Sequence, residues 1–438
     1  MSEFDTAPFR ARRERLLAHI LEQGGGVAVV PTAQERERNP GNMYPYRATS
    51  QFFYLSGFRE PEAVLVLVAG ENPRQYLFCR PRDEERELWT GFRHGPEAAA
   101  EYFGFDAAWP IAGLDAKLTE LLADQPSLWT TLAVDPDWDR RVLAALMRSR
   151  ARVRNGIGTP RSLNEISVVL DEMRLIKDAS EIALMRHAGE IAAAAHVRAM
   201  QATRPERYEF EIDAELLYFF RAHGSQFPAY PPIVASGSNA CVLHYEANDR
   251  KMHAGELLLI DAGCELDGYA SDITRTFPVS GRFSGPQRDL YQLVLAANHA
   301  ARLEIRPGNT CNAPHEAALV VLTQGFRDLG LLKGSMEELT ANASYRRFYM
   351  HRTSHWLGLD VHDVGQYKVD GHWRTFKPGM MLTVEPGCYV RPAEDVPEAF
   401  WNIGIRIEDN ALVTADGGEY LTDGVPREAD EIEALMRG

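Results

Sequence analysis

The spacing of apolar residues over the first 160 positions alternates between helical and strand periods. RARRERLLAHILEQ has the period of an amphipathic helix, and the GGGVAVV run that follows it is typical of a strand. Three further apolar runs are interpreted as strands, and a later amphipathic segment as a helix: QFFYLSGF, AVLVLVA and RQYLFCR, then DAKLTELLADQ. We therefore predict a smaller α/β domain over residues 1–174.

A different pattern begins near residue 175. An alanine-rich helix follows Asp178 and Ser180, either of which could cap it, and the next helix ends at Gly224. Two later helices are predicted at 286–303 and 313–329. Between the helices lie strand-like segments: PIVASG, ELLLIDAG, YASDITRTFPV, MLTVEPGCYV and WNIGIRIEDNALVT. The pattern predicts an α+β domain over 175–438, with helices laid against an antiparallel sheet.

Composition excludes several classes of protein. The 438 residues exceed what one hydrophobic core usually organises. A net charge of −15 argues against a nucleic-acid partner, which would need a basic surface. Five scattered cysteines without CxxC spacing favour neither a disulfide framework nor a structural zinc site. The charged N-terminal segment has no signal-peptide pattern and no apolar run has membrane length, so we expect a cytoplasmic protein with no membrane partner.

The segment LLLIDAGCELDGYASDITRTF predicts a β-hairpin with two aspartates on one face. Asp267-Gly268 is a strong turn signal. If the turn is centred there, Asp272 pairs with residue 263; if it is centred one residue earlier, Asp272 pairs with Asp261. Both registers have the same parity, so Asp261 and Asp272 share a face. Buried carboxylates repel each other and a cation would remove that cost, although one of them could instead face solvent or cap a turn.

Three of the chain's 13 histidines lie within the run HRTSHWLGLDVHD. The spacing is not that of HExxH zinc proteases. Apolar neighbours indicate that these histidines emerge from packed structure, where a lone histidine is usually a hydrogen-bonded core residue. Three histidines together with the aspartate pair favour a functional site. The pattern alone does not select a metal ligand among His351, His355 and His362.

Two glutamates follow in strand-like segments. Glu385 lies in MLTVEPGCYV. In WNIGIRIEDNALV alternate isoleucines take one face, while Gly404, Arg406 and Glu408 take the other. Each glutamate could belong to an ordinary solvent-facing strand. A glycine within the strand indicates close approach by another group, however, and Arg406 could orient or neutralise a carboxylate.

Four carboxylates and an imidazole form a hard, oxygen-rich ligand set that suits Mn²⁺, Co²⁺, Fe²⁺ or Zn²⁺. Two ions sharing carboxylates would balance the charge. The motifs LIDAGCELDGYASDITRTF, HRTSHWLGLDVHDVG, LTVEPGCYV and GIRIEDN resemble the metal motifs of the pita-bread metallopeptidases, the superfamily of creatinase, prolidase and methionine aminopeptidase. The histidine run resembles the signature shared by Xaa-Pro aminopeptidase (aminopeptidase P) and prolidase. NMYPYRATSQFFYLSGFREPEAVLVL is similar to the N-terminal domain of bacterial aminopeptidase P.

The resemblance implies a C-terminal pita-bread catalytic domain behind a smaller, creatinase-like α/β domain. It implies two divalent metal ions, expected to be manganese with zinc or cobalt as alternatives, and a homodimer or homotetramer. The metal ligands it implies are Asp261, Asp272, His355, Glu385 and Glu408. The substrate-handling residues it implies are His244, His362, His351, Tyr389 and Arg406.

The activity implied is metal-dependent hydrolysis of the N-terminal Xaa-Pro bond, by a metal-bridged hydroxide that attacks the scissile carbonyl. His362 and His244 would donate hydrogen bonds to the oxyanion and the leaving nitrogen, and Glu385 would also shuttle a proton. Candidates for an aromatic wall around the proline ring are Tyr230, Tyr389 and Trp89, each of which could instead be a core residue. The resemblance also allows Trp89 to act across a subunit interface.

Two alternatives remain open: a prolidase, which cleaves only dipeptides, and a non-catalytic binding protein of the same fold. The N-terminal motif favours aminopeptidase P over prolidase, and the complete ligand set favours an enzyme. Methionine aminopeptidase shares the ligands but is usually shorter and lacks this N-terminal domain. One departure from the family pattern is Arg352-Thr353, where some relatives carry Gly-Leu or similar. We expect it to be tolerated, because neither residue has an obvious chemical role.

Overall fold

The computed structural model describes residues 5–437, which fall into two compact units at 1–173 and 174–438. The predicted domain limits of 1–174 and 175–438 stay a prediction, from which this division differs by one residue. Among the described residues, no helix is both long enough and apolar enough to cross a lipid bilayer.

The first unit is a mixed sheet with helices. Its helices are α1 (Ala7–Glu22), α2 (Ser50–Ser56), α3 (Glu84–Thr90), α4 (Gly95–Phe103), α5 (Leu114–Leu121), α6 (Pro136–Ala151) and α7 (Ser167–Leu175), the last continuing into the second unit. Its strands are β1 (Gly26–Pro31), β2 (Glu37–Asn39), β3 (Asn42–Met43), β4 (Val64–Ala69), β5 (Arg74–Cys79), β6 (Ala107–Pro110), β7 (Ser127–Thr130) and β8 (Ser162–Glu165).

Six of these strands form one sheet in the order β6-β5-β4-β1-β7-β8. The central pairs β1/β4 and β4/β5 are antiparallel, and the outer pairs are parallel. The apolar strand residues predicted for β1 and β4 pack with α5 and α6 in one core. The predicted α/β character of this unit follows from these layers.

One predicted strand is wrong: residues 51–58 form most of helix α2 rather than a strand. Short apolar runs do not distinguish a strand from a helix buried on all sides, and Phe52 to Leu55 are all buried. The boundaries of the helix decide its conformation. Thr49 is extended, and Gly57 ends the helix with a φ of +67°, which favours glycine.

The second unit holds the other elements. Its helices are α8 (Ala179–Ala202), α9 (Glu209–Ala222), α10 (Gly285–Leu303), α11 (Ala313–Asp328), α12 (Met336–Ala341) and α13 (Ala429–Arg437). Its strands are β9 (Phe227–Pro228), β10 (Ile233–Ser236), β11 (Leu257–Asp261), β12 (Cys264–Leu266), β13 (Tyr269–Ala270), β14 (Thr274–Pro278), β15 (Lys368–Val369), β16 (His372–Trp373), β17 (Met381–Val384), β18 (Gly387–Val390), β19 (Ile403–Arg406), β20 (Asp409–Val413) and β21 (Gly418–Tyr420).

The strands of this unit form several short sheets rather than the single antiparallel sheet that was predicted. The sheets are β10-β11-β14, β13-β12-β9, β17-β20-β21, β18-β19 and β15-β16. A bridge between Thr274 and Glu408 joins the first of them to the β19–β20 segment. Helix α8 contacts β12 and β13, while α10 contacts β17, β18 and β19. The helices therefore support the strands from which the carboxylates project.

The register of the predicted hairpin follows the first of the two alternatives. Asp261 pairs with Thr274 and Leu266 pairs with Tyr269, so the turn is centred on Asp267-Gly268. Asp272 therefore lies opposite Gly263. A Cβ at Gly263 would lie only 1.8 Å from the Ser271 carbonyl oxygen. The two segments of the hairpin therefore approach each other here more closely than any side chain would allow.

The buried histidine of α8 connects this helix to the hairpin. His196 is fully buried, and its Nε2 donates to the carbonyl oxygen of Ala262 at 2.9 Å. Burial lowers the pKa of His196 from 6.5 to about 4. The unfolded chain therefore binds a proton between these pH values that the folded chain does not bind.

We expect His196 to make the protein less stable in acid. Above pH 6.5 the neutral His196 makes its full contribution to the free energy of unfolding. As the pH falls toward 4, about 3 kcal/mol of that free energy is lost. Urea unfolding of the metal-free protein at several pH values measures this. His196→Gln, which cannot titrate there, should flatten the pH dependence. The control His187→Gln changes an exposed histidine of the same helix and should not. If the unfolding free energy varied equally with pH in all three proteins, His196 would not be the residue responsible.

Candidate metal centre

The two hairpin aspartates face one hydroxyl group. The Tyr230 hydroxyl lies at hydrogen-bond distance from Oδ1 of both Asp261 and Asp272. The two carboxylates therefore share a face, as the parity of the hairpin predicted. Both aspartates are buried, so their charges have little access to water and need a partner within the protein.

His355 is oriented by its own backbone. Its Nδ1 donates to the Trp356 carbonyl oxygen at 3.0 Å, which leaves Nε2 directed at the carboxylates. Nε2 lies 3.4 Å from Asp272 Oδ2 and 3.6 Å from Glu385 Oε1. Asp272, His355 and Glu408 offer ligand atoms that all lie within 4.8 Å of one another. Of the three histidines in the run, His355 is the one in this group.

The two glutamates are positioned by one buried asparagine of α10. Asn298 Nδ2 donates to the carbonyl oxygens of Val384 and Ile407, each at 3.1 Å. Each of these carbonyls belongs to the residue immediately before one of the glutamates, Glu385 or Glu408. These two residues, together with Asp261, Asp272 and His355, form the carboxylate cluster. The separation of the two glutamates is thus set by a side chain that lies outside the cluster. No sequence motif indicated Asn298, because it is remote from both glutamates along the chain.

A buried arginine neutralises the carboxylate of Asp261. Arg406 donates to Asp261 Oδ2 at 2.6 Å and to the Tyr389 hydroxyl at 2.8 Å. His351 Nε2 lies 2.8 Å from the same hydroxyl. Burial lowers the pKa of His351 to about 3. Its imidazole is therefore neutral and accepts the hydrogen bond from Tyr389.

The pKa values of the cluster show an excess of negative charge. Burial raises the pKa of Asp272, raises that of Glu385 to about 7, and raises that of Glu408 well above its usual range. Burial lowers the pKa of His355, but its hydrogen bond to Asp272 and the charge of Glu385 outweigh this and raise it to about 9. In the metal-free protein, protons compensate the carboxylates. Divalent cations would replace those protons, so the donor set fits metal ions.

The cluster lies in a cavity of about 740 Å³ in the second unit. Such a volume is typical of small-ligand sites. His244 and His362 line it, and the His362 ring meets the His355 ring edge-on with centroids 4.4 Å apart. The cavity walls also include all five predicted metal ligands and three other predicted site residues: Tyr230, His351 and Arg406. The fold thus brings together residues from every motif quoted above for the second unit.

Two predicted site residues lie elsewhere. Tyr389 is buried behind the cavity wall, where it contacts His351 and Arg406. It therefore supports the site rather than forming its surface. Trp89 belongs to the first unit, on α3, with 84% of its surface exposed. Its predicted role in substrate binding stays a prediction.

The expectation that Arg352-Thr353 is tolerated stays a prediction, and the structure shows what these two side chains contact. Thr353 is buried, and its Oγ1 lies 2.9 Å from His315 Nδ1 and 2.7 Å from the Tyr349 hydroxyl. Arg352 and Trp373 line the cavity. The signal for Arg352 was its position beside His351 in the run. Trp373 lies ten residues beyond the run, and no motif marked it.

Carboxylates and an imidazole that converge in one cavity are typical of a metal-dependent hydrolase site. Residues 183–415 match the sequence model of metallopeptidase family M24, and residues 9–129 match that of the aminopeptidase P N-terminal domain. The Xaa-Pro aminopeptidase of Escherichia coli is 43% identical to this chain, with 100% of this chain and 99% of the relative covered.

Solved structures of aminopeptidases are also similar to this chain. Pseudomonas aeruginosa aminopeptidase PepP is 46% identical with a TM-score of 0.97, covering 100% of this chain and 99% of that one. Escherichia coli aminopeptidase P with the inhibitor Pro-Leu is 42% identical with a TM-score of 0.95 and the same coverage. The chain therefore belongs to metallopeptidase family M24. These matches confirm the predicted family and the predicted two-domain pita-bread fold class. They also confirm the prediction that the chain is a peptidase that depends on divalent metal.

Proposed function

We propose that this chain removes the first residue from peptides whose second residue is proline, using two divalent metal ions. The residues that would hold the ions are Asp261, Asp272, His355, Glu385 and Glu408. The observation that carries the proposal is the convergence of these five side chains on one cavity. The names of its relatives, Xaa-Pro aminopeptidase and aminopeptidase P, support the substrate class. Manganese suits the oxygen-rich set, with zinc or cobalt as alternatives.

When bound, the two ions supply Lewis acidity, which lowers the pKa of water and polarises the scissile carbonyl. Glu385 would help to hold the ions and would also carry a proton to the leaving nitrogen. His362 and His244 donate hydrogen bonds to the developing oxyanion and to that nitrogen. Arg406 holds Asp261, and Tyr389 holds His351, so both act as positioning residues.

Proline at the second position makes the scissile bond a tertiary amide without an N–H. A wall that offers no acceptor for that hydrogen therefore favours proline over other residues. Tyr230 lines the cavity and is the candidate for this wall within the second unit. Trp89 would complete the wall from a neighbouring subunit, which requires a homodimer or homotetramer.

We also propose a cytoplasmic location. All five cysteines are free and buried. Free, buried thiols suit a reducing compartment.

The test is hydrolysis by protein that has been treated with a chelator and then supplied with one metal at a time. We expect release of the first residue from Xaa-Pro-Yaa tripeptides, with the highest rate in Mn²⁺, and little release from Xaa-Ala-Yaa peptides. Turnover of Xaa-Pro dipeptides alone would favour the prolidase alternative. Absence of turnover in every metal would favour a binding protein.

A further inference from the structure

Arg352 brings a cation into the cavity of the second unit. It follows His351 in the chain and lines the same cavity as the carboxylate cluster. Within residues 5–437, no carboxylate forms an ion pair with its guanidinium. Its contacts are a hydrogen bond that Nη2 donates to Asn312 Oδ1 and a cation–π contact with the Trp373 ring, 5.0 Å from the centroid.

These two contacts fix the guanidinium in place. Asn312 precedes α11, and its Nδ2 donates to Glu316 Oε1 at 2.7 Å, which turns its Oδ1 toward Arg352. Trp373 lies in the short hairpin of β15 and β16, and is partly buried. A planar guanidinium that is stacked on an indole and held by one hydrogen bond loses little freedom when it binds an anion. Among the residues that the structure describes, the guanidinium makes no other hydrogen bond, so its remaining N–H groups can donate to a ligand.

Groups of both signs line the cavity. The carboxylate cluster and Glu246 are acidic, Arg406 is paired with Asp261, and the exposed Arg352 forms no ion pair with a carboxylate within residues 5–437. Lys368 adds a second positive charge near the same indole, with Nζ 4.6 Å from the ring centroid, but it does not line the cavity. A peptide zwitterion offers a partner to both kinds of group, because its ammonium group suits the carboxylates and its carboxylate suits Arg352.

We propose that Arg352 binds the C-terminal carboxylate of a tripeptide, so that Xaa-Pro-Yaa with a free C-terminus is the preferred substrate. This rests on the proposed aminopeptidase function and adds a specificity-determining residue to it. An extended tripeptide spans roughly 10 Å at about 3.5 Å per residue, and the cavity volume of about 740 Å³ is in the range of small-ligand sites. Arginine is suited to the role because its fork of donors matches the two oxygens of a carboxylate.

The experiment compares kcat/KM for one tripeptide as the free acid and as the C-terminal amide, using the metal-loaded enzyme. We expect the wild type to prefer the acid by about tenfold, mainly through a lower KM. Arg352→Gln should lower kcat/KM for the acid by about the same factor. It should leave kcat/KM for the amide at the wild-type value. Arg352→Lys, which keeps the charge but loses the fork, should give an intermediate ratio.

Lys368→Gln is the matched control, because it removes a charge from the same indole but not from the cavity. It should keep the wild-type ratio of acid to amide. The proposal is overturned if the wild type cleaves both peptides equally, if Arg352→Gln impairs both to the same extent, or if Lys368→Gln abolishes the preference. If the wild type cleaved neither peptide, the aminopeptidase function itself would be refuted. This outcome differs from the outcomes above, which would refute only the role of Arg352.

Discussion

Asp272→Asn is expected to lower peptidase activity by at least ~10³-fold, about 4 kcal/mol in the activation barrier. Asp272 lies in the group with His355 and Glu408, and its carboxylate contacts both the His355 imidazole and the Tyr230 hydroxyl. The asparagine has the same shape but no charge, so the loss reports the missing ligand rather than a packing defect.

The same substitution should have the opposite effect on the metal-free fold. Desolvation and the charge of Asp261 raise the pKa of Asp272, so the ionised carboxylate costs free energy in the absence of a cation. We expect the chelated Asp272→Asn protein to be at least as stable as the chelated wild type, and to gain little from added Mn²⁺. Thermal melts with and without metal measure both effects.

Glu246→Gln is the matched control for Asp272→Asn. Glu246 lines the same cavity but lies outside the cluster, so its variant should retain the stabilisation by metal. If Asp272→Asn kept its metal-dependent melting shift, or if Glu246→Gln lost it, the proposed ligand set would be wrong.

Asp409→Ala is expected to destabilise the fold by about 3–5 kcal/mol while sparing the metal site. Asp409 follows Glu408 directly, but its carboxylate points away from the cavity. It pairs with Arg275 at 2.7 Å, and both side chains have no exposed surface. Removing the carboxylate would leave the buried Arg275 guanidinium without its ion-pair partner.

Chemical denaturation of the metal-free protein measures this loss, with Asp416→Ala as the control. Asp416 is an exposed carboxylate in a turn, so its removal should change the unfolding free energy by less than about 0.5 kcal/mol. At low temperature Asp409→Ala should still bind metal. Wild-type stability in Asp409→Ala would contradict the buried pair, and loss of metal binding by the folded variant would contradict the division of roles between residues 408 and 409.

The placement of site residues could be predicted from the sequence where it depends only on local periodicity. The parity of the hairpin placed Asp261 and Asp272 on one face because strand side chains alternate with period two. The same rule placed Arg406 and Glu408 together. Gly404 was expected to mark a close approach, and a Cβ there would lie 2.2 Å from the Ala240 carbonyl oxygen.

Features that depend on contacts between distant segments could not be predicted in this way. Periodicity did not distinguish His355 from its neighbours, because that choice depends on which imidazole faces strands that lie elsewhere in the sequence. Asn298 has no local signature, since its partners follow it by 86 and 109 residues. The strand predicted at 51–58 failed for a related reason: burial on all sides removes the periodicity that would reveal a helix.

The most direct test of the two-metal aminopeptidase is a titration of activity against metal. Chelated protein would receive Mn²⁺ in steps below and above one equivalent per chain, and release of the first residue from Xaa-Pro-Yaa would be measured at each step. The account predicts no hydrolysis without metal, and a rate that reaches its plateau only at two equivalents per chain. Full activity at one equivalent, or hydrolysis by the metal-free protein, would contradict it.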